Sequence, residues 1–196
     1  MTGFETMDGD GASVDGAAWC DDVLRFWFDE LSADQWWCKD AALDMRIRQR
    51  FLGLYETLVL QRAVAIAEPR VALATVIVLD QFPRNMFRGD AMAYASDAQA
   101  CATAKTAIAA GLDGVLSQEG RLFLYMPLQH SERAADQRLG VELVSALGDE
   151  EWTRIALAHQ RIIDRFAPEF EKLLLLTLML PWANEVGRLA APAPAP

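Results

Sequence analysis

The chain has 196 residues, is 53% hydrophobic and carries a formal net charge of −10 with a pI near 4.6. That length suits one domain with an ample core. The acidity lacks the basic footprint that nucleic acids and anionic membranes require, so neither is expected as a partner.

Residues 1–16 are small, acidic and glycine-rich and read as an exposed lead-in without a signal-peptide pattern. A single all-α domain is expected over 17–182, followed by an Ala/Pro-rich tail over 183–196. The spacing of Trp19, Val23, Phe26 and Trp27 predicts a first helix over Ala17 to Leu31, with Asp21 and Asp22 at its positive end. Asp34 is the expected cap of a short turn carrying Trp36 and Trp37. A long helix, or two abutting ones, is predicted from Lys39 to about Ala67, with Leu43, Ile47, Phe51, Leu54 and Leu58 as its apolar stripe.

Pro69 suits the first position of the next helix. Arg70 to Phe82 is apolar nearly all round and reads as central. Pro83 disfavours helical geometry at Phe82, so the helix is expected to stop there. Ser96 reads as the cap of a helix over Asp97 to Ala110 closed by Gly111, and Ser117 as the cap of Gln118 to Met126, ending near Pro127. Ser131 to Leu147 should be helical, with Ala134, Ala135, Leu139, Leu143, Val144 and Leu147 toward the core and Gly148 as stop. Asp149 to Arg165 follows with Trp152, Ile155, Ala156, His159, Ile162, Ile163 and Phe166 on one side. Pro168 opens a last helix through Leu180. The apolar run from Leu173 is about half of the roughly 20 residues that span a bilayer, so it reads as a buried helix or as the face of a homodimer. No strand-like alternation appears, giving an all-α array of about seven to nine helices.

Cys20, Cys38 and Cys101 are odd in number, widely spaced and without a Cys-x-x-Cys pair. That is the pattern of reduced thiols in a cytoplasmic protein.

Two stretches carry the chemistry-bearing residues: Leu79 to Gly89 and Tyr125 to Glu132. Each joins an apolar helix, a proline and a polar cluster, and they read as facing rims of one site. In the first, Asp80 and Arg84 are four apart, a spacing that would pair them if the helix ran on past Pro83. Arg84 and Arg88, with Gln81 and Asn85, could hold a carboxylate or phosphate. The plainer reading is that both arginines cap carbonyls and pair with acids of neighbouring helices. In the second, His130 sits near Glu132 and Asp136, which are four apart. Two close carboxylates could split their pKa values or share a cation. The plainer reading is a helix start, with Ser131 as cap and Glu132 on the dipole. His159 on an apolar helix side reads more simply as a core histidine. No zinc, calcium, phosphate-loop or dinucleotide motif occurs, so neither cofactor nor metal is expected.

Several strings of the chain go together: Val23 to Phe28, Trp36 to Asp40, Ile47 to Phe51, Leu79 to Gly89, Tyr125 to Glu132, Ala135 to Gln137 and His159 to Phe166. On these strings, spread in order over roughly residues 20 to 166, the chain resembles the uncharacterised bacterial family called domain of unknown function 924. The resemblance implies a tetratricopeptide-like all-α fold and brings no activity with it. It also implies a Gly-Arg-Phe-Pro-His-Arg-Asn type segment after the Arg-Phe pair. Here Ala167 to Phe170, a leucine-rich run and the Ala/Pro tail stand in that place.

Three readings are open. A helical binding domain would use Asp80, Gln81, Arg84, Asn85, Arg88, His130 and Glu132 to hold a small anionic molecule or peptide. A hydrolase-like enzyme would use Glu132 or Asp136 as general base, His130 or His159 as proton shuttle and Arg84 for an oxyanion. A structural joint would use the same clusters to satisfy buried helix ends.

Overall fold

The computed structural model describes residues 18–61 and 66–166, and among these every regular element is helical. Helix α1 (Ala18–Arg25) passes directly into a wide π turn, Phe26–Glu30, which keeps both Phe26 and Trp27 buried. A 3₁₀ turn, Ala33–Trp36, follows. Its cap is not Asp34 but Ser32, joined reciprocally to Gln35, because a capping box needs its acceptor three residues on. Trp36 Nε1 donates to Trp27 O at 2.8 Å and ties the turn to the core.

Helix α2 (Ala41–Leu60) is shorter than the sequence reading. Asp40 starts it, accepting from the backbone N–H groups of Ala42 and Leu43. Its buried stripe is Leu43, Ile47, Phe51, Tyr55 and Leu58, so Tyr55 takes the place expected of Leu54. At 3.6 residues per turn both positions lie near the stripe, and the larger ring packs on Phe87.

Helix α3 (Pro69–Val76) is the central element. It is followed by a second π turn, Ile77–Gln81, and then by helix α4 (Phe82–Met86), so the chain stays helical through Pro83. The expected stop at Phe82 is therefore wrong. Proline supplies no N–H, which frees the carbonyl four residues back, Leu79 O. Ser96 Oγ donates to that carbonyl at 2.5 Å. The same bond explains why Ser96, although it precedes helix α5 (Asp97–Ala109), makes no side-chain cap there. A 3₁₀ turn over Ala91–Tyr94, capped by Asp90, links α4 to α5. Gly111, at φ +69°, closes α5 as expected of a left-handed glycine.

Helix α6 (Gln118–Gln129) begins at Ser117, whose Oγ accepts from Gly120 N–H, and runs through Pro127 rather than ending before it. Helix α7 (Ala134–Ser145) starts later than read, and Ser131 is not its cap. Its buried residues are Asp136, Gln137, Gly140 and Val144, and Leu143 and Leu147 pack half-buried against the core, so of the expected positions only Ala135 is exposed. Polar partners draw Asp136 and Gln137 in beside them. Helix α8 (Glu150–Phe166) buries Ala156, His159 and Ile163.

The core is continuous from Val23 and Phe26 through Phe51, Leu79 and Phe82 to Phe123, and α3 packs on α1, α5 and α6. Helix α7 packs on both α6 and α8. No described helix is long and apolar enough to cross a membrane. The lead-in over 1–16, the helix from Pro168 to Leu180 with its dimer face Leu173 to Leu180, and the tail over 183–196 lie outside the described residues.

Candidate functional site

The apolar helix α3 carries the chain into the core, and the π turn then buries a carboxylate there. Asp80 is fully buried and Gln81 nearly so. On a regular helix neighbouring side chains diverge by 100°. The wide turn lets these two converge, and Gln81 Nε2 donates to Asp80 Oδ2 at 2.5 Å. A buried carboxylate must be compensated. His130 Nδ1 lies 2.7 Å from Asp80 Oδ1, and Arg84 Nη1 lies 3.4 Å from the same oxygen. Burial pushes the Asp80 carboxyl up, but the Arg84 and His130 charges outweigh it and hold it below the usual carboxylate range.

Arg84 reaches Asp80 from four residues on, so the pairing made doubtful by Pro83 does form. Its guanidinium also donates to Asp80 O at 2.5 Å and forks onto Asp97, at 2.9 Å to Oδ1 and 3.0 Å to Oδ2. The Tyr94 ring lies beneath it, 5.5 Å from Arg84 Cζ. Arg84 and Asp97 retain 20% and 22% side-chain exposure, which puts this pair at the rim while Asp80 and His130 sit inside. Burial raises the Asp97 carboxyl, ahead of the lowering by Arg84. Two carboxylates within reach of one arginine are thus driven apart in acidity. Asp97 was missed in the sequence because a first-turn aspartate reads as an ordinary dipole partner.

His130 stands at the end of α6. Its ring is 6.4 Å from that of His159, centroid to centroid. Burial, then the neighbouring His130 and Arg84 charges, pull His159 down to about 3, so it is neutral at physiological pH. Since Asp80 occupies Nδ1, the nitrogen of His130 left for chemistry is Nε2.

The other expected site residues lie elsewhere. Asn85 Nδ2 and the Arg88 guanidinium both donate to Asp44 of α2, Arg88 as a fork at 2.7 and 2.8 Å. Helical geometry turns them away from Arg84's partners, and they form a second cluster. Glu132 is exposed, whereas Asp136 is buried and accepts from Lys105 Nζ at 2.7 Å and Ser131 Oγ at 2.8 Å. The expected Glu132–Asp136 carboxylate pair is therefore replaced by a bridge between α5 and the α6–α7 connection. Among the described residues no group of three or more His, Cys, Asp and Glu is placed to hold a metal ion.

The comparisons with known proteins agree with this helical core. Bacterial proteins of unknown function of the DUF924 family match residues 23–168. The chain belongs to this family. A solved structure of a protein of unknown function from Agrobacterium tumefaciens is similar to it at 35% identity, with a TM-score of 0.73 over 78% of this chain and 86% of that one. Among curated proteins none matches the chain. The DUF924 match spans every residue of the Asp80, Arg84, Asp97, His130 and His159 cluster.

Proposed function

We propose that this DUF924 chain binds a small acidic molecule at the rim formed by Arg84, and that His130, oriented by Asp80, acts on it as a general base in hydrolase-like chemistry. The observation that carries this reading is the 2.7 Å contact between Asp80 Oδ1 and His130 Nδ1, with both side chains closed off from solvent. A carboxylate on Nδ1 fixes the imidazole tautomer and stabilises the imidazolium that forms when Nε2 takes a proton. Arg84 is the group for the ligand's anion, which would exchange with Asp97 on the guanidinium fork. His159 stays neutral beside His130 and is the candidate relay.

The structural-joint reading is favoured by a different observation: Gln81, His130 and Arg84 together reach both carboxylate oxygens of the buried Asp80. One experiment separates the two. Thermal unfolding is followed with small carboxylates, with inorganic phosphate and with a panel of esters, amides and phosphoesters, whose hydrolysis is measured in parallel. Stabilisation by about 2.7 kcal/mol is expected at a hundredfold excess over Kd. It should be lost in Arg84→Ala, and turnover should be lost in His130→Gln. No stabilisation and no turnover by the parent protein leaves the joint as the role of these residues.

The same reading takes the helix pairs as a tetratricopeptide-like stack, supported by the consecutive packing of α6, α7 and α8. It takes the protein as cytoplasmic, supported by Cys20, Cys38 and Cys101 forming no disulfide.

A further inference from the structure

His130 is held from two sides. Asp80 takes its ring, and a residue outside both polar strings takes the carbonyls of its two chain neighbours. Gln137, in the first turn of α7, is fully buried, and its Nε2 donates to Gln129 O at 2.6 Å and to Ser131 O at 2.7 Å. These are the carbonyls on either side of His130. Both protons of one amide are thereby spent on the carbonyls of the residues before and after His130. The acceptor end of the same side chain, Gln137 Oε1, is buried without a hydrogen-bond partner among the described residues. An unmatched buried acceptor is unfavourable, so the amide is retained for its donors.

The neighbourhood makes the clamp rigid. Asp136 holds Ser131 through its hydroxyl at 2.8 Å and is itself held by Lys105 of α5. Ser131 Oγ in turn accepts from Arg133 N–H. One turn further along α7, Gly140 lets the helix approach α6 closely. A Cβ there would stand 3.2 Å from Leu128 Cβ and 3.4 Å from Gln129 Cγ. The end of α6 therefore cannot rotate about its axis without breaking bonds on both sides of His130.

We infer that Gln137 is a positioning residue: by clamping the carbonyls of Gln129 and Ser131 it sets the orientation in which His130 presents Nδ1 to Asp80 and Nε2 to the site. Its functional meaning rests on the general-base reading of His130, but the positioning itself can be read without turnover. The chain contains two histidines, so imidazole nitrogen NMR resolves His130 and His159 directly.

The experiment compares the parent with Gln137→Met, which keeps length and removes the donors. The control is Gln99→Met. Gln99 also donates to a backbone carbonyl, Leu58 O, but belongs to a different joint. In the parent, His130 is expected as one tautomer with a hydrogen-bonded Nδ1 proton. In Q137M that proton should exchange with solvent about tenfold faster, as expected for the loss of two hydrogen bonds. Q99M should leave the exchange unchanged. If Q137M does not fold, Gln137→Glu is read across pH. Protonated, it keeps one donor; ionised, it keeps none and repels both carbonyls. His130 signals identical to the parent in folded Q137M, or unchanged through the ionisation of the Q137E side chain, overturn the inference. Loosened His130 signals in a protein that turns over no substrate leave the positioning role standing and remove the enzyme reading.

Discussion

Asp80 Oδ1 and His130 Nδ1, fifty residues apart in the chain, meet at 2.7 Å in the interior, where Asp80 is fully buried and His130 nearly so. Removing one partner of such a pair leaves the other buried and uncompensated, which costs about 3–5 kcal/mol. Asp80→Ala should reach that range. Asp80→Asn, which keeps the shape and one acceptor, should cost less. Urea denaturation measures both, and a loss below about 0.5 kcal/mol, the level of an ordinary surface substitution, would show that the pair contributes little.

The same carboxylate predicts a pH dependence. Burial raises the Asp80 pKa, the Arg84 and His130 charges lower it by more, and the folded value lies below the unfolded one. A depressed carboxyl stabilises the fold fully above the unfolded pKa of about 3.9 and loses that contribution as pH falls through the folded value. Asp97 runs the other way: burial raises its pKa, so its contribution falls as pH rises through its folded value. Acid unfolding of the parent should therefore steepen below about pH 4. D80N should flatten that limb, which denaturation midpoints collected across acid pH would reveal.

Ser96 and Pro83 form one device, because the hydroxyl serves the carbonyl that the proline leaves open. Ser96→Ala should cost about 1–3 kcal/mol by stranding Leu79 O. Pro83→Ala restores an N–H at position 83 and should recover part of that loss in the double variant. A double-mutant cycle with a coupling under about 0.3 kcal/mol would mean the two act independently.

Gly140→Ala opposes two effects. Helix propensity gains about 1 kcal/mol, while the added Cβ stands 3.2 Å from Leu128 Cβ in a close helix contact. Overpacking of this kind costs about 1–3 kcal/mol. The contact is with a Cβ, which moves only with its backbone, so the net effect should be destabilising. A raised melting temperature would show that α7 can shift away.

The cysteines should separate by reactivity. Burial pushes the Cys20 and Cys101 thiols up to about 11, whereas Cys38 is exposed. The thiolate is the reactive form. A maleimide added to the folded protein should label Cys38 alone within the time that unfolded protein is labelled at all three positions. Peptide mapping of the product distinguishes the sites, and prompt labelling of Cys101 would mean that the α5–α7 bridge opens readily.

The helices were legible where apolar spacing and a capping residue coincide. Ser117 and Gly111 mark their elements as capping chemistry requires. Prolines misled. Both Pro83 and Pro127 read as stops, yet the chain stays helical through each. A proline ends a helix only if its orphaned carbonyl finds no substitute, and Ser96, which serves Leu79 O, lies thirteen residues away in another element. Site residues were half legible. Asp80, Arg84 and His130 were found as polar residues beside apolar runs, and the structure joins them. Asn85 and Arg88 shared the string but turn to Asp44. Asp97 carried no local signal, and Gln137 stood out only as the end of the Ala135 to Gln137 string of the family resemblance.

The sequence by itself determined the all-α class, the core position of the apolar run from Val71, which is buried from Ala72 to Leu79, and the two polar strings that flank the site. These follow from periodicity and charge, which are properties of neighbouring residues. Only the tertiary structure decided which charges meet. Asp80 takes His130 and Arg84, Asp136 takes Lys105, and Asp44 takes Arg88. The reason is physical: a buried charge is held by whatever partner the packing of distant helices brings within about 3 Å, and one widened turn at Ile77–Gln81 sets that packing for Asp80 and Gln81.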